Sequence, residues 1–236
     1  PPGTDRCHLA LTPLRFAASR RRTRPGIYDA YTIGPVGRRV QFIVLDERTF
    51  RTEPVQSRHP ATDSTGNYTP QPEAEMLGEA QWQWLEEQLR QPAEVRIICS
   101  STQFVSEFSG YELWALYPRE KERMLKLINR NRAGGVIFIS GDVHIGEISR
   151  QQPPGLYPLW DVTSSGLTEV WRAAPPNRHR QGPAVLARNF GLISINWNAP
   201  SPVITLEVRA EDGTPLITHT TKLSELQPPA ARQMGR

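Results

Sequence analysis

The chain has 236 residues, 38% hydrophobic and 22% charged, which is enough for one sizeable domain with its own core. Its net charge of +4 rests almost wholly on arginine, because Lys121, Lys126 and Lys222 are the only lysines. So weak and dispersed a bias excludes a dedicated nucleic-acid binder, although it suits a phosphate-bearing small substrate. The two cysteines, Cys7 and Cys99, form no C-x-x-C or Cys/His cluster, which excludes zinc-finger and thioredoxin-like chemistry.

No apolar run approaches the ~20 residues that span a bilayer, so no transmembrane segment is expected. The chain begins with Pro and shows no signal-peptide pattern, and no apolar stretch follows Ser19-Arg20-Arg21-Arg22 as a twin-arginine leader requires. It reads as an internal or processed portion, with any targeting sequence expected upstream. Oligomeric state is not legible.

In chain order, residues 1–25 read as a basic linker, ending near Arg24-Pro25-Gly26. Residues 39–45 form a near-continuous apolar run closing on Asp46, the pattern of a strand buried on both faces. Residues 53–72 carry Pro, Ser, Thr, Gly and Asn and predict a long exposed loop. A helix follows, with Gly78 as N-cap, Gln81 as a partial capping box, and Leu77 and Trp82 as a hydrophobic staple. Trp82, Leu85 and Leu89 share its inner face. A second buried strand is expected at Val95–Cys99, where Cys99 reads as a small core residue rather than a reactive thiol. A polar turn, Ser100-Ser101-Thr102-Gln103, comes next.

A second helix is predicted from Pro118 to about residue 131, with Met124, Leu125 and Ile128 inward and Gly134-Gly135 as its stop. Residues 136–139 predict a third buried strand. Strand–helix–strand–helix–strand implies stacked βαβ units around a largely parallel sheet, hence an α/β fold. After residue 155 the pattern changes. Residues 192–197 and 203–208 alternate apolar and polar residues, as antiparallel strands with one covered face do. From residue 222 the chain is poor in apolar residues and predicts a frayed tail.

The third buried strand ends in Ser140-Gly141-Asp142-Val143-His144-Ile145-Gly146-Glu147. Open α/β sheets place ligands at the carboxyl ends of their strands. If the chain stays extended there, Asp142 and His144 project to one side and can reach one metal ion. Carboxylate oxygen with imidazole nitrogen suits a hard or borderline metal, and Glu147 is a candidate to orient the imidazole. Asp46 ends another buried strand, and Arg48 and Arg51 beside it are candidates to grip a phosphate bidentately. His8, His59, His179, His219, Asp29, Asp63 and Asp161 are scattered and individually read as turn or surface residues. Ser164-Ser165-Gly166 lacks the context of a serine nucleophile.

Several stretches, taken together, resemble the PhoD-like alkaline phosphatase family: Gly26-Ile27-Tyr28-Asp29-Ala30-Tyr31, residues 41–51 (QFIVLDERTFR), 76–89 (MLGEAQWQWLEEQL), Trp114 with Tyr117-Pro118, 140–148 (SGDVHIGEI), 163–168 (TSSGLT), and Asn189-Phe190-Gly191. Their order and spacing agree from about residue 25 to 222. The resemblance implies a calcineurin-like metallophosphoesterase domain over residues 26–221: a β-sandwich of two mixed sheets flanked by helices, with its N-terminal part missing. It further implies phosphomonoester or phosphodiester substrates, iron and calcium as metals, and a leaning toward export. Asp142 and His144 match the family's late metal-binding motif, and Asp46 and Arg48 its Leu-Asp-x-Arg motif. Glu47 and Thr49 stand where the family more often has Thr and Tyr. The family's early Gly-Asp-Asn and Trp-Asp-Asp-His-Asp segments belong before residue 25 and are absent from this sequence. The chain is therefore expected to be impaired by itself, with a non-catalytic scaffold or binding module as the alternative.

Overall fold

The computed structural model describes residues 24–56, 68–107 and 111–229. Most of the expected linker and of the 53–72 loop, the end of the expected tail, and Cys7, His8, His59 and Asp63 lie outside these residues.

Strands β1 (Asp29–Ile33) and β2 (Val40–Val44) form an antiparallel pair. Short strands β3 (Val55–Gln56) and β4 (Tyr68–Thr69) pair on either side of residues 57–67. Helix α1 (Glu79–Leu89), β5 (Val95–Cys99), α2 (Pro118–Arg130) and β6 (Val136–Ser140) follow. Then come β7 (Gly146–Gln151), β8 (Leu159–Ser164), β9 (Asn189–Asn196), β10 (Val203–Ala210) and β11 (Pro215–Lys222).

The larger sheet has the order β1-β2-β5-β6-β8-β7. Its four central strands run parallel, and β1 and β7 close the edges antiparallel. Helices α1 and α2 lie in the crossovers from β2 to β5 and from β5 to β6, and β7 lies in the one from β6 to β8. The helices cover the face carrying Gln41 and Ile43: Gln41 Nε2 donates to the Gln88 carbonyl of α1 at 3.0 Å. The smaller sheet, β11-β10-β9, is antiparallel. Ile204, Leu206 and Val208 alternate along β10 and are buried, and β10 packs against β7 and β8. Between β9 and the larger sheet lies an apolar cleft of about 730 Å³, whose walls include Val40, Phe42, Ile97, Cys99, Ile139 and Val162.

The helices follow their apolar spacing with two corrections. Gly78 is the N-cap of α1, but Gln81 forms no capping box. It is fully buried, and its amide turns to residue 46 instead. In α2 the inner face is Met124, Leu127 and Ile128, with Leu125 only half-buried. Trp82 meets Trp114 edge-on at 6.3 Å and donates to Glu120 of α2 at 2.9 Å, so the two helices share one buried polar lock. Gly135 (φ +68°) turns the chain into β6 so close to the Glu94 carbonyl that a Cβ would sit 2.2 Å away.

The expected fraying from residue 222 is not what residues 223–226 show. Leu223–Leu226 forms a 3₁₀ turn, Leu226 is buried, and its carbonyl accepts from Gly135 N–H at 2.7 Å. The burial of Leu226, this backbone bond and a second one from Leu223 N–H to the Pro202 carbonyl at 2.8 Å help to hold the stretch, and none of them is visible in its polar composition.

Candidate metal centre

The four parallel strands end at one edge of the sheet; β5, β6 and β8 lead directly into Ser100, Gly141 and Ser165, and β2 reaches Asp46 one residue later, after Leu45. β7 lies beyond β8 in the sheet, so the link from β6 to β7 must arch over the end of β8. It is tied there by Ser165, whose N–H donates to the Ile145 carbonyl at 3.1 Å.

The arch is not extended, as the same-side projection of Asp142 and His144 assumed. Both residues adopt positive φ, +74° and +50°. Non-glycine residues take this conformation at a cost that functional sites commonly bear. Val143 between them is buried and anchors the arch, while the side chains of Asp142 and His144 remain 39% and 37% exposed.

His144 is held from the segment that follows β8. Its ring stacks on Trp171 with centroids 5.6 Å apart and planes within 3°. The Trp171 N–H donates to the His144 carbonyl at 3.1 Å, and Tyr111 packs on the same indole at 4.5 Å. His144 Nδ1 is buried without a hydrogen-bond partner, and the carboxylate it faces is Glu169, at 3.6 Å.

Glu147 does not orient the imidazole directly. It is buried, and its carboxylate accepts from Gln103 Nε2 at 2.6 Å, Asn177 Nδ2 at 2.8 Å and Arg180 Nε. The start of the arch is fixed in a similar way. Ser140 Oγ donates to Asp161 at 2.7 Å and meets the Thr163 hydroxyl at 2.8 Å. Asp161 also accepts from Phe104 and Val105 N–H at 2.8 and 3.0 Å. Burial pushes its pKa up despite these donors.

The Asp46 carboxylate is likewise committed away from Asp142 and His144. It accepts from Ile27, Arg48 and Thr49 N–H at 2.8, 3.0 and 2.9 Å, and from the Thr49 hydroxyl at 2.7 Å. Burial raises its pKa, but the Thr49 hydroxyl and these backbone donors outweigh it, and the net shift is downward. Asp46 thus fixes the turn that carries Arg48. Glu47 points inward and collects the hydroxyls of Ser100, Ser101 and Thr102 and the Trp114 indole. Its complete burial raises its pKa against those bonds.

Arg48 and Arg51 do converge. Arg48 Nη1 and Arg51 Nη1 both reach Glu112 Oε2, at 2.5 and 2.6 Å. Arg48 Nη2 also lies 3.5 Å from Asp142 Oδ1, which brings the two candidate groups to one place. Of the other residues considered, His179 pairs with Glu107 at 3.2 Å and His219 faces the Gln181 carbonyl at 3.2 Å. Cys99 is half-buried, and burial raises its thiol to about 11, which keeps it protonated.

Among the described residues, no three His, Cys, Asp or Glu side chains form a metal-holding group. Asp142 and His144 nevertheless fit a metal in kind. They offer one oxygen and one nitrogen donor, and the 37% exposure of the His144 side chain falls on the ring outside its buried Nδ1. Glu112, Glu169, Trp171 and Arg180 were not evident from the sequence. They lie in irregular segments whose composition reads only as loop, and topology alone brings them to the strand ends.

Comparison with known proteins agrees with this architecture. The sequence profile of the PhoD-like phosphatase family matches residues 6–178. Alkaline phosphatase D of Bacillus subtilis (strain 168) is 26% identical over 143 residues, covering 56% of this chain and 23% of that protein. A solved chain described as the structure of PhoD superposes with a TM-score of 0.53 at 19% identity, over 86% of this chain and 45% of its own length. GAP50, described as the anchor in the inner membrane complex of Plasmodium, superposes with a TM-score of 0.53 at 13% identity, over 89% of this chain and 57% of its own. The chain thus spans well under two thirds of each relative. No helix among the described residues is long and apolar enough to cross a membrane. With the profile match extending over most of its length, the chain belongs to the PhoD-like phosphatase family.

Proposed function

We propose that this chain carries part of the site of a metal-dependent phosphoester hydrolase of the alkaline phosphatase D type, acting on phosphomonoesters or phosphodiesters. The observation that carries this reading is the strained Asp142–His144 arch at the carboxyl end of β6, with Arg48 3.5 Å from Asp142, inside the span that matches the family. Asp142 and His144 would hold the metal, with iron and calcium as the proposed pair. A metal held there would supply Lewis-acid polarisation of the phosphoryl group and activation of the attacking water.

The chain's own residues supply orientation and charge. Arg48 is exposed enough to swing from Asp142 toward a phosphoryl oxygen, while Glu112 retains its other nitrogen. Arg51 is nearly buried and fixes Glu112 from behind. Trp171 and Tyr111 form an aromatic wall beside His144. The apolar cleft beside β9 supports a completed sandwich, in which further strands continue the smaller sheet across the uncovered face.

The test is metal content by elemental analysis together with turnover of p-nitrophenyl phosphate and bis-p-nitrophenyl phosphate. Metal uptake and turnover that both disappear in Asp142→Asn support the reading. Turnover unchanged by that substitution removes it.

A further inference from the structure

We infer that Glu169 and Trp171 are positioning residues for His144, which set its imidazole so that Nδ1 carries the proton and Nε2 is the metal-binding nitrogen. The inference rests on the metal reading above and assigns roles to two residues outside the motif.

Three observations carry it. First, the two ring nitrogens are in different surroundings. Nδ1 has no solvent contact and no hydrogen-bond partner, whereas the side chain as a whole is 37% exposed. The exposure therefore lies elsewhere on the ring. Second, Nδ1 faces Glu169 Oε2 at 3.6 Å. Glu169 itself reaches solvent, so a small rotation of its carboxylate closes this gap to a hydrogen bond. The hydrogen bond made by one ring nitrogen decides the state of the other. Third, the ring plane is fixed independently, because Trp171 lies parallel to it and its N–H donates to the His144 carbonyl.

The segment that brings both residues is itself anchored on buried groups. Asn177 and Arg180 close on Glu147, and Gly146 and Val185 exchange backbone hydrogen bonds at 2.9 and 2.7 Å. Glu147 thus acts on His144 through this segment and makes no direct contact with the ring.

The experiment uses the full 236-residue chain. Long-range ¹⁵N–¹H spectra at alkaline pH, with His144 assigned by its loss in His144→Gln, report the tautomer directly. The expected result is Nδ1–H in the wild type and in Glu169→Gln, whose amide oxygen still accepts, and a shift toward Nε2–H in Glu169→Ala. Cobalt(II) titration followed by absorption is the second readout. Glu169→Ala and Trp171→Leu should each weaken affinity by about 10–100-fold, with the melting temperature little changed for Glu169→Ala. An Nε2–H wild type, or cobalt affinities within about twofold of wild type in both variants, overturns the inference. A His144→Ala variant with undiminished cobalt affinity overturns the metal reading itself, a different result from losing cobalt in His144→Ala while Glu169→Ala binds normally.

Discussion

Gln81 clamps Asp46 by both of its backbone groups: Oε1 accepts from the Asp46 N–H at 2.8 Å, and Nε2 donates to the Asp46 carbonyl at 2.8 Å. A helix side chain thereby satisfies the backbone at the point where β2 leaves the sheet. Gln81→Leu keeps the volume but strands two buried backbone groups, each costing about 1–3 kcal/mol. Urea unfolding should show a lower midpoint at an unchanged m-value, with a loss of roughly 2–4 kcal/mol.

Lys121 offers a pH test. It is buried on α2, and desolvation lowers its pKa from 10.5 to about 8 against the pull of Glu107 and Asp161. Between those two values the unfolded chain holds a proton that the folded chain has released, so stability rises with pH across that window. The difference in unfolding free energy between wild type and Lys121→Met isolates this group. That difference should shift in favour of the wild type by about 3 kcal/mol from pH 8 to 10.5. A flat difference curve would show that Lys121 titrates normally.

The arch predicts a separation of stability from function. Asp142 and His144 sit at φ +74° and +50°, and among the described residues the side chain of Asp142 is tied to Arg48 by a 3.5 Å exposed pair worth little. Asp142→Gly relieves the backbone and loses little contact. Thermal unfolding should find it as stable as the wild type, or more stable by about 1 kcal/mol, and under the proposed metal reading it should take up no metal.

Glu147 predicts the opposite pairing. Its carboxylate is buried against Arg180, and removing one partner of a buried pair costs about 3–5 kcal/mol. Glu147→Ala and Arg180→Ala should each destabilise strongly, and the double variant should lose less than the sum. Additive losses in chemical denaturation would mean that the two side chains are not energetically coupled.

The fold was legible where burial writes itself into composition. Residues 39–45, Val95–Cys99 and 136–139 are near-continuous apolar runs, and they form three adjacent parallel strands. β1, β7, β8 and β11 were not predicted, nor was the short β3–β4 pair inside the segment read as a loop. β1 and β7 are edge strands carrying polar residues such as Asp29, Glu147 and Arg150, and β8 interrupts its apolar run with the buried Asp161. At the site, Asp142, His144, Arg48 and Arg51 were visible as residue types at strand ends. The partners were not: Glu112 and Trp171 belong to loops, and what brings them in is the order of the strands. Gln81 and Glu147 were given the wrong partners for one shared reason. Each was paired with its sequence neighbours, whereas its hydrogen-bonding groups reach elements distant in the chain.

Because β8 separates β6 from β7, the strand beneath the arch is hydrogen-bonded to both of the strands that the arch joins. Local opening of the last residues of β8 would release Ser165 from Ile145 and free Asp142 and His144 together, while α1, α2 and the rest of the sheet stay folded. Heat should therefore release the arch below the temperature at which the chain unfolds, and amide exchange at Ser165 should quicken before exchange at β5.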